Sequence, residues 1–113
     1  MSDCLFCKIV SNEIPSKKVY EDDRILAFYD INPAAPVHIL VIPKEHIESL
    51  AALQDEHLGL IGYLHGKIRD IARDLKLADG YRVVNNCGKE GGQEVGHLHF
   101  HLLGGRKMLW PPG

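Results

Sequence analysis

The sequence predicts one α+β domain, and three stretches carry that prediction. His97 to Leu103 reads His-Leu-His-Phe-His-Leu-Leu, alternating as a half-buried strand does. His97, His99 and His101 then share one face, ~6.6 Å apart, while Leu98, Phe100 and Leu102 enter a core. Residues 37–43, Val-His-Ile-Leu-Val-Ile-Pro, form a nearly continuous apolar run that suits a buried strand ended by Pro43. Across residues 55–77, Leu58, Ile61, Leu64, Ile68, Ile71 and Leu75 recur at steps of three and four, which predicts a helix covering a sheet.

The other elements follow in chain order. Asp3 is an acceptable N-cap for a short helix over 3–14, stopped by Pro15. Cys4 and Cys7 fall one turn apart on it; they can supply half of a tetrahedral metal shell, or be two small buried hydrophobes. Residues 17–21 and 24–31 read as strands across an Asp22-Asp23 turn. Asp30, at the end of the second, caps the next turn or accepts hydrogen bonds from a ligand diol. His38 is a core residue unless other imidazoles face it. His46 starts a short helical turn through Leu50. Asp55 and Gly80 bound the long helix, with His57 and His65 beside its stripe. Residues 81–86 make a fourth strand. The loop from Cys87 to Gly96 holds four glycines in ten residues, letting its backbone approach a ligand and present amides. The tail 104–113 is not a strand, and its Leu109-Trp110 pair calls for something to dock on.

With 113 residues, 45% hydrophobic and 25% charged, the chain is long enough for one real core and shows no internal repeat or linker. We therefore read residues 1–113 as a single domain. No apolar stretch is long enough to span a bilayer, and no leader pattern precedes Cys4. Three cysteines, an odd number, fit a reducing compartment and a cytoplasmic protein. A net charge of −2 argues against a polynucleotide partner, which needs a positive field, while leaving a mononucleotide open.

The histidine row has three readings from its residues: a metal-ligand row, acid–base and nucleophilic catalysis, or a structural imidazole cluster. The last is disfavoured, because three rings on one face repel when protonated. No Asp or Glu in the strand completes a hydrolytic metal site. Phosphoryl transfer needs an in-line nucleophile, amide donors and a proton source, which His99, the glycine loop, and His101 with His38 can supply.

Gly91-Gly92-Gln93-x-Val95-x-His97-x-His99-x-His101-Leu102-Leu103 resembles the signature of the histidine triad (HIT) superfamily. Cys4-x-x-Cys7, Asp30-Ile31-Asn32-Pro33, the run from His38 to Pro43 and the terminal Trp110-Pro111-Pro112-Gly113 resemble its Hint branch, the histidine triad nucleotide-binding proteins. The resemblance covers essentially the whole chain. It implies a five-stranded antiparallel sheet with one long and one short helix, and a homodimer sharing a ten-stranded sheet, with the tail near that interface. It implies a purine nucleoside phosphoramidase or nucleotidyl hydrolase acting on AMP- or GMP-type derivatives, adenosine phosphoramidate and aminoacyl adenylates among them. The alternative is a non-catalytic purine-nucleotide-binding or scaffold protein.

By the same resemblance His99 is the nucleophile and forms a nucleotidyl-histidine, while His97 orients it through a main-chain carbonyl. His101 and His38 contact phosphate oxygens and relay a proton. Asp30 holds the ribose hydroxyls, and Leu5, Phe6, Ile9, Phe28 and Ile31 surround the base. Asn86, Gln93 and the Val95 amide lie near the phosphate. Glu94 stands where animal Hint proteins carry Ser near the leaving group, and Gly96 where many relatives carry an aromatic. Some bacterial relatives hold a structural zinc with residues matching Cys4, Cys7, His46 and His97, and others keep these residues without metal. No cofactor is expected in the catalysis itself.

Overall fold

The apolar runs in the middle of the sequence become the middle of a sheet. In the computed structural model, which describes residues 3–113, five strands pair antiparallel in the order β1-β2-β3-β5-β4. They are β1 (Lys18–Glu21), β2 (Ile25–Tyr29), β3 (Val37–Pro43), β4 (Tyr81–Val84) and β5 (Phe100–Gly104). Helix α1 (Leu5–Val10) lies on one face and α2 (Leu58–Asp74) on the other. Leu64, Ile68, Ile71 and Ala72 of α2 pack with Ile25, Ala27, Ile39, Val41, Leu98, Phe100 and Leu102. Phe6 and Ile9 of α1 cover Leu26, Phe28, Leu40 and Ile42. Burial on both faces leaves β2 and β3 no solvent side, so they read as unbroken apolar runs instead of alternating ones.

Asp22 ties the first hairpin to α2. Its Oδ1 accepts the Arg24 and Ile25 N–H groups, making the expected turn, while its Oδ2 accepts the hydroxyls of Tyr20 and Tyr63. The shared carboxylate holds Tyr63 up at about 12.

Several boundaries differ from expectation. The first helix spans Leu5–Val10, not 3–14; Cys4, not Asp3, is its N-cap, with Sγ accepting the Cys7 N–H at 3.3 Å. It ends before Pro15 because Asn12 turns left-handed, with φ 66°. The turn expected from His46 forms instead as a 3-10 turn over Leu50–Ala52. Asp55 opens a further 3-10 turn, and α2 begins only at Leu58, which is exposed. Its C-terminus is a Schellman motif in which Lys76 (φ 60°), not Gly80, takes the left-handed position: Lys76 N–H donates to Arg73 O and Leu77 N–H to Ala72 O. The fourth strand stops at Val84. The fifth starts at Phe100, so His97 and His99 precede the ladder and only His101 lies within it. Leu109 and Trp110 remain 72% and 81% exposed, so within one chain the tail lacks the dock expected for it. No helix among the described residues is long and apolar enough to cross a membrane.

Candidate active site and metal cradle

The imidazoles gather on the α1 face of the sheet. His38 and His101 sit on adjacent strands, where Leu40 pairs with His101, and their ring centroids lie 5.1 Å apart. His99 stands 5.1 Å from His101, and Phe6 meets both His97 and His99 edge to face. The alternation read from the sequence therefore survives although the ladder starts late: Leu98, Phe100 and Leu102 belong to the α2-side core.

Neighbouring groups decide where each neutral ring holds its proton. The Ala34 N–H donates to His38 Nδ1 at 2.9 Å, which places the His38 proton on Nε2. That nitrogen faces His101 Nδ1 at 2.9 Å and Asp30 Oδ2 at 3.4 Å. His101 Nδ1 is then an acceptor, and its own proton sits on Nε2, buried and without a partner among the described residues. His99 is fixed separately, its Nδ1–H donating to His97 O at 2.7 Å. Its Nε2 is left with an unprotonated lone pair. Burial pushes the His101 imidazolium down to about 4, reinforced by His99 and His38 and opposed by Asp30. Burial also lowers His38, against the pull of Asp30. Both rings are neutral at pH 7, as the proton pattern requires.

A second cluster sits where α1 meets the segment before β5. Cys4 Sγ lies 3.4 Å from His97 Nδ1, Cys7 Sγ 3.6 Å from the same nitrogen and 3.2 Å from His46 Nδ1, and the two Nδ1 atoms are 3.2 Å apart. A tetrahedral ion bound at ~2.0 Å to nitrogen and ~2.3 Å to sulfur needs ligand separations of ~3.3–3.8 Å, so the spacing fits a zinc-sized ion. Protonation agrees. His97 Nε2–H donates to Pro43 O at 2.8 Å, leaving the Nδ1 lone pair aimed at the thiols. Asp30, His38 and His101 also converge, but their shared edge is filled by the His38 proton. One group is a relay and the other a cradle.

A model of the HIT domain matches residues 11–108. The chain belongs to the HIT family. It is 54% identical over 111 residues to an uncharacterized HIT-like protein of Synechococcus elongatus, covering 98% of this chain and 97% of the relative. It is 52% identical to a 14 kDa zinc-binding protein of Zea mays, covering 99% and 89% respectively. The crystal structure of a HIT family hydrolase from Legionella pneumophila superposes with a TM-score of 0.96 at 49% identity, covering 98% of this chain and all of that one.

In this HIT domain the rings of His38, His99 and His101 come together, His97 joins them through its main-chain carbonyl, and the four expected metal ligands form one group. Asp30 Oδ1 caps the following turn by accepting the Asn32 N–H at 2.8 Å, while Oδ2 turns toward His38. Of the expected base slot, Phe6, Ile9 and Phe28 are buried together, whereas Leu5 and Ile31 are exposed, Ile31 at 91%. Val95 packs against that cluster, and its N–H meets no acceptor among the described residues. Glu94 and Gly96 are exposed. Asn86 lines a surface groove with Arg82, Val84, Leu103 and Met108, next to the strand positions of His38 and His101, since Leu103 pairs with His38 and Val84 with His101.

The glycine loop folds more on itself than its composition suggests. The Gly92 and Gln93 amides donate to Lys89 O and Gly88 O, and the Gly88 amide to Gln93 Oε1. Gln93 Nε2 donates to Glu48 O and Val95 O, so this side chain braces the loop. Gly91 passes so near Cys87 that a Cβ would lie 2.3 Å from its carbonyl oxygen. The reading of the sequence missed Asn85, whose Nδ2 donates to His99 O at 2.9 Å. Its only signal was an Asn-Asn pair closing an apolar strand.

Proposed function

We propose that this HIT protein, of the Hint type by its residues, hydrolyses purine nucleoside 5′-phosphoramidates and acyl adenylates through a nucleotidyl-histidine. One observation carries the reading: His99 bears its proton on Nδ1 against the His97 carbonyl, beside a neighbouring His101 whose buried Nε2–H has no acceptor among the described residues. A lone pair and a proton donor side by side are what P–N cleavage asks for.

In this mechanism His99 Nε2 attacks the α-phosphorus and the bond to the leaving nitrogen breaks. The amine departs with the proton of His101 Nε2, while the His38 Nε2 proton shifts toward His101 Nδ1. Water then attacks the phosphorus, returns its proton to the His101–His38 pair, releases the nucleoside monophosphate and restores the His99 lone pair. In this reading the Val95 amide donates to a phosphate oxygen, Asp30 holds the ribose hydroxyls, and Phe6, Ile9 and Phe28, with Leu5 and Ile31 at the rim, contact the base.

Zinc is the ion we assign to Cys4, Cys7, His46 and His97, because two thiols and two imidazoles make a closed tetrahedral set with no open position for substrate. It would supply a structural tether. The outer edge of β4, where Tyr81 and Val83 are exposed and Arg82 donates to Leu109 O of the exposed tail, is where we place a second copy of the chain, extending the sheet to ten strands. A monomer by sedimentation would contradict that pairing.

The test of function is adenosine phosphoramidate in excess EDTA, followed for AMP. Turnover is expected. Nucleotide binding without AMP would favour a scaffold, and activity abolished by chelation would favour metal-dependent chemistry.

A further inference from the structure

The β4–β5 ladder ends two residues short of the nucleophile. Val84 pairs with His101, the last pair recorded, and beyond it the chain of β4 leaves the sheet for the glycine loop. A continuing strand would hold the main chain near His99 with its own N–H groups; here the Asn85 side chain performs that task, donating from Nδ2 to His99 O at 2.9 Å. His99 is thus pinned at two points, its ring by His97 O and its main chain by Asn85.

Asn85 is a poor choice for packing alone. Its Oδ1 is buried with no partner among the described residues, a desolvated acceptor that an apolar residue of similar size would avoid. The amide orientation follows from the bond, since only the NH₂ end can face a carbonyl. The residue accepts an unsatisfied oxygen and gains one bond, and that bond ends on the residue carrying the attacking nitrogen.

We infer that Asn85 is a positioning residue for His99, standing in for a strand N–H where the sheet has opened to admit a ligand. Fixing the ring alone does not place Nε2, because a main chain free to shift by a fraction of an ångström moves ring and carbonyl partner together. Small displacements of a reacting atom cost rate far more than they cost binding. The inference rests on His99 being the nucleophile, and its test separates the two claims.

Asn85→Ala and Asn85→Leu are prepared, the second keeping the size and removing the donor. Each is checked for folding by circular dichroism, assayed with adenosine phosphoramidate, and examined by ¹H–¹⁵N correlation of the histidine rings. In the wild type His99 should appear as a single tautomer protonated at Nδ1. In a folded variant we expect kcat down roughly 10- to 100-fold with KM within about twofold, and His99 signals broadened or averaged between tautomers. Asn85→Ser, retaining a hydroxyl donor, should recover part of kcat. Should Asn85→Ala fail to fold, Asn85→Leu and Asn85→Ser carry the comparison. A folded donor-free variant with kcat within twofold of wild type and an unchanged His99 spectrum overturns the proposal. If the wild type releases no AMP, the proposed reaction fails, and the ring spectra alone then decide whether Asn85 holds His99.

Discussion

Two clusters of imidazoles flank one short segment, and they differ in what joins their nitrogens. Around His38, His99 and His101 each ring has a main-chain or ring partner that fixes a proton between donor and acceptor. Around His46 and His97 the nitrogens converge on two thiols at the spacing of a metal shell, and the one fixed proton, on His97 Nε2, points away toward Pro43. Residue 97 belongs to both, its ring in the cradle and its carbonyl on the His99 ring. The same residue type becomes ligand or relay according to which nitrogen its neighbours leave bare.

The sharpest way to break this division is at its reacting end. His99→Ala should lower AMP release by ~10³-fold or more, while metal content stays at wild-type stoichiometry. Loss of bound metal in that variant would show that the clusters are not separable. At the cradle, Cys7→Ser should abolish stoichiometric zinc, measured by elemental analysis of protein purified without chelator, and lower Tm by several degrees. Because the metal is assigned a tether and no chemical step, turnover below the melting range should fall by less than about tenfold, far less than in His99→Ala.

Phe6 bridges the two, touching the rings of both His97 and His99 from a position 4% exposed. Phe6→Ala should cost ~3–5 kcal/mol by denaturant titration. It should also weaken both zinc retention and turnover, the one substitution expected to damage both clusters together.

A pH effect sharpens the relay side. His101 titrates at about 4 when folded and near 6.5 when unfolded, and His38 is shifted the same way. In that window the unfolded chain binds more protons, so stability is fully present above about pH 6.5 and declines as pH falls toward 4. Tm followed from pH 7.5 to 4.5 should decline, and less steeply in His101→Gln. An equal decline in that variant would remove His101 as its source.

Alternation for 98–102, continuous apolarity for β3 and a three-and-four stripe for α2 made the sheet, the long helix and the histidine row legible, whereas the full set of Cys4, Cys7, His46 and His97 came only from the resemblance to the HIT superfamily. Boundaries failed where a side chain or a loop supplied what a cap or strand usually does. Cys4 displaced Asp3 because its Sγ accepts the Cys7 N–H, and Lys76 took the left-handed position usually given to glycine. The glycines at 88–92 suggested amides open to a ligand, whereas Gln93 turns part of that loop inward through contacts visible only in three dimensions. The proton pattern of the relay was equally hidden, since it depends on the Ala34 amide and the His97 carbonyl, main-chain groups that no residue letter reveals.

The central claim is that His99 Nε2 becomes covalently bonded to phosphorus. Protein mixed with adenosine phosphoramidate in excess EDTA, quenched within one turnover and digested, should yield a His99 peptide heavier by one adenylyl group, and His99→Ala should yield none. An adduct on another residue, or AMP release at wild-type rate from His99→Ala, would contradict the account.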